Sequence, residues 1–188
     1  MSGDLVIYSG KGHLSDAILN EGISSWSALT DHIKNLPYGR TLKKELLAVL
    51  DENKGTCSTK HALAVQIAKE QGWNNIDLVL VMYKMNSDNT PGTAEVLNES
   101  ELVYLPEAHC VIRHGDVMVD LTTTESSYEA IISDILQTQV IEPGQIGAWK
   151  VNYHKRFLAN WLIEGCIDMT LDQAWKLREQ CIMAISRY

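Results

Sequence analysis

The stretch from His109 to Asp120 constrains the fold most, because it has the sequence pattern of a β-hairpin. Apolar side chains flank His114-Gly115, a residue pair that fits a two-residue hairpin turn. A turn at these two residues places His109 directly opposite Asp120, on one face of the ribbon. A carboxylate in that position holds the imidazole in one tautomer and stabilises its charged form. The hairpin therefore predicts a general base, which requires a nucleophile elsewhere in the chain.

The best candidate for that nucleophile is Cys57. It follows Gly55-Thr56, a pair typical of a helix start, and it precedes an alanine-rich helical run that ends at Gly72. Cys57 is therefore expected in the first helical turn. The helix dipole favours a thiolate there, and backbone N–H groups at that end can hold a developing oxyanion.

The remaining chain predicts an α+β fold in a single domain spanning residues 1–188. The architecture expected is a small antiparallel sheet packed against the cysteine-bearing helix, with helices before and after it. We place the catalytic-type core at about 50–125 and a helical part at the C-terminal end. Besides the two segments above, we expect helices at 24–35, 42–50, 128–136 and 155–163, a strand at 76–83, a loop at 86–93, a break at 142–147 and a final helix capped by Thr170 and Gln173.

Composition excludes several classes of partner. The net charge of −8 and the scattered charged residues give no basic surface for nucleic acid or anionic lipid. We expect neither a signal peptide nor a membrane span, because the first apolar run is short and has no basic leader. The four cysteines lack the density of a disulfide scaffold, which favours free thiols in the cytoplasm.

The order of a helix-borne Cys57, then His109 and Asp120 on strands, resembles the transglutaminase-like branch of the papain-like cysteine enzymes. The resemblance covers roughly residues 50–125, and it rests on Gly55-x-Cys57 at a helix start, on Gly72 after that helix, and on the later His109 and Asp120-Leu121-Thr122. The segments Gly-Thr-Cys-Ser-Thr-Lys-His-Ala and Pro-Glu-Ala-His are also similar to those of bacterial proteins. The family resemblance implies that Cys57 is the nucleophile, His109 the base and Asp120 the residue that orients the base.

Four further residues are candidates for contact with a substrate. His61 shares a helix face with Cys57, so it could be the base or touch substrate, although structural packing is the more common role. Glu107 precedes His109 and could line the cleft or lie on a solvated rim. Tyr38 and Arg40 could supply a hydroxyl and a cation, or serve only the turn after Pro37.

These residues predict a cysteine-dependent hydrolase or acyltransferase that acts on an amide or related acyl bond and needs no cofactor. The substrate is expected to be a peptide, a protein or a small amide. Water as acceptor gives hydrolysis and an amine gives transamidation, and both remain open. A zinc site at Cys57, His61, His109 and Cys110 is disfavoured, because Cys110 should face away from His109. The alternative is a non-catalytic binding or scaffold domain with the same fold.

Overall fold

A computed structural model describes residues 3–185 and shows an α+β fold, as predicted. A four-stranded antiparallel sheet of order β3-β2-β1-β4 is combined with helices. The strands are β1 Ile76–Met85, β2 Leu105–His114, β3 Val117–Val119 and β4 Ile135–Ile141. The α-helices in these residues are α1 His13–Asn20, α2 Trp26–Asn35, α3 Ala48–Asp51, α4 Cys57–Glu70, α5 Ala94–Glu99, α6 Ala148–Glu164 and α7 Leu171–Ile185, and short 3-10 helices span Ile132–Asp134 and Pro143–Ile146.

Two compact units make up the described chain, each assembled from three separate segments. The first unit comprises residues 3–80, Cys110–Tyr128 and Val140–Gly144. The second comprises Val81–His109, Glu129–Gln139 and residues 145–185. The single domain expected from composition stays a prediction. None of the helices in residues 3–185 has the length and apolar character needed to cross a membrane.

Helix α4 is the centre of the first unit, where it packs against α1, α2 and α3. Its N-terminus is a capping box in which Thr56 accepts from the Thr59 N–H and the Thr59 hydroxyl accepts from the Thr56 N–H. Alanines at positions 62, 64 and 68 are fully buried, and their small side chains allow neighbouring helices to approach closely. The helix ends before Gly72, whose φ of +76° suits a glycine.

Helix α1 begins beside a carboxylate that belongs to α4. Glu70 accepts hydrogen bonds from the backbone N–H groups of Leu14 (3.3 Å) and Ser15 (2.7 Å) and from the Ser15 hydroxyl. The N-cap residue, Gly12, has no side chain that could accept these hydrogen bonds, so the Glu70 carboxylate caps the helix in its place. A Cβ atom at Gly12 would lie 2.0 Å from Glu70 Cδ, so a glycine is needed for this approach.

The second unit contains α5, α6 and α7 together with the adjoining parts of β1 and β2. Helix α7 packs against both α5 and α6. The predicted cap of α7 is confirmed, because Thr170 N–H and Oγ1 both donate to Gln173 Oε1 (2.8 Å each). The Gln173 N–H in turn donates to Thr170 Oγ1 at 3.3 Å. These contacts start the helix at the next residue.

The predicted register of the hairpin is wrong. The observed pairs are Ile112 with Val119, Arg113 with Met118 and His114 with Val117. The two-residue loop is therefore 115–116, with Gly115 first and at φ +60°, the position that a type II′ turn reserves for glycine. Because β3 ends at Val119, this ladder does not pair His109 with Asp120.

Three other sequence expectations also need correction. The segment 128–136 is not a helix but leads through a 3-10 turn into strand β4. Most of 42–50 is irregular: helix α3 begins only at Ala48, and the N–H groups of Leu42 and Lys43 donate to the Glu52 carboxylate. Helix α5 follows the loop at 86–93 and was not expected.

Candidate active site at the start of helix α4

Cys57 is the first residue of α4, as the Gly-Thr cap predicts. The residue is 9% exposed, less than expected for a reactive cysteine, and its Sγ lies 3.8 Å from Ser58 Oγ. Since the first N–H groups of a helix have no acceptor within the helix, this end concentrates donors and positive potential around the sulfur. The local chemistry is that of a helix N-terminus that favours an anion.

Gly55 allows the chain to pass close to the first turn of α4. A Cβ atom there would lie 2.8 Å from Lys60 Cγ and 3.0 Å from Thr59 Oγ1. The Gly55 N–H donates to Pro37 O, and the Gly55 carbonyl oxygen accepts from the Gly39 N–H, both at 3.1 Å. The segment after α2 is therefore hydrogen-bonded to the residue two positions before Cys57.

Tyr38 and Arg40 belong to that segment. Tyr38 forms an isolated parallel bridge with Gly55 and is half-buried. Arg40 is exposed. The predicted approach of this turn to the cysteine is thus seen for the backbone at Tyr38, and the proposed contacts of both side chains with a substrate stay predictions.

Lys60 lies one helical turn after Cys57 and is fully buried. Its ammonium donates to the carbonyl oxygens of Leu36 (2.5 Å) and Thr122 (2.7 Å). Burial lowers the pKa of Lys60 to about 8, against the opposing attraction of Asp120 and of a Cys57 thiolate. Lys60 was not among the site residues predicted from the sequence, although a lysine among the alanines of one helix is a signal of an internal cation.

His61 is fully buried and joins the start of α4 to the chain after β3. Its Nδ1 lies 2.5 Å from the Cys57 carbonyl oxygen, and its Nε2 lies 2.6 Å from the Leu121 nitrogen. Because the Leu121 N–H donates, Nε2 must accept, and the proton therefore lies on Nδ1. Both ring nitrogens contact backbone groups, which supports the packing role over that of base or substrate contact.

Asp120 follows β3 and is 7% exposed. Its Oδ1 accepts from the Thr122 N–H (2.9 Å) and hydroxyl (2.6 Å), so the carboxylate closes the turn behind the strand. The same oxygen lies 3.5 Å from His61 Nε2. The structure thus brings Cys57, Lys60, His61 and Asp120 together in the first unit, with His61 rather than His109 beside the carboxylate.

His109 belongs to the second unit, where it lies half-buried on β2. Its ring meets Tyr83 edge-on, with centroids 6.1 Å apart. The next residue, Cys110, is fully buried in the first unit with its Sγ 3.7 Å from Ser58 Oγ. Strand alternation points neighbouring side chains to opposite faces. A catalytic role for His109 stays a prediction based on the family resemblance.

Glu107 is not a solvated rim residue but a buried partner of Arg178 within the second unit. The guanidinium donates from Nε to Oε2 (2.8 Å) and from Nη2 to Oε1 (2.5 Å), a two-pronged pair. Burial raises the pKa of Glu107, but Arg178 outweighs that effect and holds the pKa down to about 2. A carboxylate engaged in this way anchors α7 to β2, and its role toward a substrate stays a prediction.

Two buried basic side chains of α6 complete this cluster. Lys150 donates to Ala108 O (2.7 Å) and His154 donates from Nε2 to Pro106 O (2.8 Å). The two carbonyls come from alternate residues and therefore point to the same edge of β2. Burial lowers the pKa of His154, against the attraction of Glu107, so the ring is held neutral. The cluster seals a strand edge, and the pKa of the neighbouring Cys181 thiol is raised by burial to about 11, which makes that thiol a poor nucleophile.

Comparisons with known proteins leave the family open. No family model matches the chain, and neither a curated protein nor a solved structure is significantly similar to it. Among residues 3–185, no group of three or more histidine, cysteine, aspartate or glutamate side chains has an arrangement suited to a metal ion.

Proposed function

We propose that this protein is a cysteine-dependent hydrolase or acyltransferase of transglutaminase-like type, with Cys57 as nucleophile. The observation that carries the proposal is the position of Cys57 at the first residue of α4, one turn from the buried ammonium of Lys60. A helix N-terminus and a nearby cation both stabilise a thiolate. Asp120 balances the charge of Lys60 and keeps the ammonium in place.

In the proposed reaction, the Cys57 thiolate attacks the carbonyl carbon of an amide, and a backbone N–H of the first turn donates to the oxyanion. A proton donated to the leaving amine breaks the C–N bond and leaves an acyl-enzyme. His109 is the proposed proton donor, as the resemblance implies. Asp120, which the observed register does not pair with His109, acts in this proposal through the charge of Lys60. Water or an amine then accepts the acyl group and restores the thiol. His61 positions the first turn.

The proposed substrate is a peptide, a protein or a small amide, and the reaction requires no cofactor. All four cysteines are free thiols. Free thiols persist in a reducing compartment, which supports a cytoplasmic location as part of this proposal.

A screen of peptide amides, esters and glutamine-containing peptides, with and without an amine acceptor, tests the function. Product release and covalent capture are followed by mass spectrometry. We expect Cys57→Ala to abolish turnover and His109→Ala to be nearly as damaging, while Asp120→Asn leaves a weaker enzyme. Cys110→Ala is the matched control, since it removes the neighbouring thiol and should retain turnover. Turnover by Cys57→Ala at the wild-type rate would show that the nucleophile is assigned wrongly.

The second candidate is a non-catalytic binding or scaffold domain. Two observations favour it: Cys57 is only 9% exposed, and the hairpin register does not pair His109 with Asp120. On this alternative, Cys57 and His61 serve packing alone. Absence of turnover together with slow alkylation of Cys57 would favour it.

A further inference from the structure

Strand β4 has nearly the same sequence in both directions. It reads Ile-Leu-Gln-Thr-Gln-Val-Ile from Ile135 to Ile141, and reversal only exchanges Leu136 with Val140. Thr138 is the midpoint. A strand with this symmetry is complementary to a second copy of itself in an antiparallel pair.

This strand is also open to a partner. It lies at the end of the strand order, with β1 as its neighbour, and its five central residues are exposed. Leu136 is 38% exposed and Val140 is 47% exposed. Proteins usually protect such an edge with charges, proline or a bulge, because its backbone N–H and C=O groups can pair with another chain. The sequence of β4 contains neither a charged residue nor a proline.

We propose that β4 is a homodimer interface, in which two copies pair antiparallel about a two-fold axis at Thr138. Leu136 then lies opposite the second copy's Val140, and the two threonines lie opposite each other on the same face. On the other face Gln137 lies opposite the second copy's Gln139, and their amides can hydrogen-bond. The two small sheets become one continuous sheet of eight strands.

The alternative registers are poorer. A shift of the pairing by two residues places Leu136 opposite Thr138, so that an apolar side chain faces a polar one. Only the register centred on Thr138 places apolar side chains opposite apolar ones and polar side chains opposite polar ones. The acidic residues at its two ends have partners within their own chain, because Asp134 accepts from Asn89 Nδ2 (2.8 Å) and Glu142 is ion-paired with Lys69. Their repulsion across the dimer is thereby reduced.

Sedimentation velocity across micromolar to millimolar protein concentrations tests the interface. We expect a monomer–dimer equilibrium for the wild-type chain and a monomer for Thr138→Lys, since Thr138 faces itself and the variant brings two cations together. Thr124→Lys makes the same substitution at an exposed residue outside β4 and should leave the equilibrium unchanged. A wild-type monomer at every concentration overturns the proposal, and so does a dimer that Thr138→Lys does not weaken.

A charge-swap experiment decides the matter even if Thr138→Lys fails to fold. Gln137→Lys/Gln139→Lys and Gln137→Glu/Gln139→Glu each place like charges opposite each other and should be monomeric alone. Mixed together, they place opposite charges across the interface and should form a heterodimer that salt weakens. Far-UV circular dichroism verifies the fold of each variant. Two folded variants that give no heterodimer when mixed contradict the pairing.

Discussion

Lys60 is the single residue on which the geometry of the candidate site depends most. Its ammonium joins the end of α2 at Leu36 to Thr122, behind Asp120, and it lies one turn from Cys57. An ammonium without water is tolerated only with several acceptors and a nearby negative charge. The residue therefore couples the position of three chain segments to the electrostatics at the cysteine.

We expect Lys60→Met to lower the free energy of unfolding by about 1–3 kcal/mol, because it leaves buried carbonyls without their donor. Lys69→Met is the control on the same helix. The Lys69 side chain is 41% exposed and forms an ion pair with Glu142, so the loss should stay below about 1 kcal/mol. Urea titration measures both values, and equal losses would contradict the structural role of Lys60.

Lys60 also predicts a pH effect. Its pKa in the folded chain is about 8, below the ordinary value of 10.5, so the unfolded chain binds more protons between these limits. The free energy of unfolding should therefore rise from about pH 8 to pH 10.5 by an increment that Lys60→Met lacks. The same increment in both proteins would show that Lys60 is not the group responsible.

Glu107 predicts a larger stability effect. Removing one charge of a buried ion pair leaves the other unpaired, so Glu107→Gln should cost about 3–5 kcal/mol. Glu179 carries the other carboxylate that contacts Arg178, and its side chain is 29% exposed. Glu179→Gln should therefore cost less than about 1 kcal/mol. Guanidinium unfolding curves compare the two variants. Similar losses of unfolding free energy in the two variants would contradict the structural role of the Glu107–Arg178 pair.

At the scale of elements, the start of α4 could be predicted because its cap is local. Thr56 and Thr59 satisfy each other's backbone within four residues. The register of the hairpin could not be predicted, because a glycine suits either position of a two-residue loop. Gly115 takes the first position. Strand β4 was missed because its exposed residues show no alternation of apolar and polar side chains. The acceptors of Lys60 come from distant segments, which local pattern does not reveal.

Gly55→Ala tests the packing at the start of α4. Its methyl group would lie 2.8 Å from Lys60 Cγ, so the first turn must shift, at a cost of about 1–3 kcal/mol. We also expect slower alkylation of Cys57. Gly144→Ala is the control, because no atom lies within 4 Å of its Cβ position. Thermal melts and labelling rates indistinguishable from those of the control would refute the close approach.

At the scale of the whole molecule, acid should destabilise the chain in two stages. Burial lowers the pKa of His154 below 6.5, so stability falls as the pH drops below that value and the unfolded chain takes up a proton. The pKa of Glu107 is about 2, against an ordinary 4.5, so a second loss follows between these limits. The unfolding free energies of the wild-type protein and of His154→Gln should converge as the pH falls through the first stage. If the two free energies instead fall in parallel with pH, His154 is not the group responsible for the first stage.

If Cys57 is an activated thiol, its alkylation rate will show it. Iodoacetamide labelling of the intact protein, followed by peptide mass spectrometry from pH 5.5 to 8.5, compares Cys57 with the exposed Cys166 and the buried Cys181. Burial raises the pKa of Cys181 to about 11, so this thiol should stay unlabelled. We expect Cys57 to be labelled faster than both Cys166 and Cys181 near neutral pH. A Cys57 that stays as inert as Cys181, or that is labelled no faster than Cys166, would contradict this assignment.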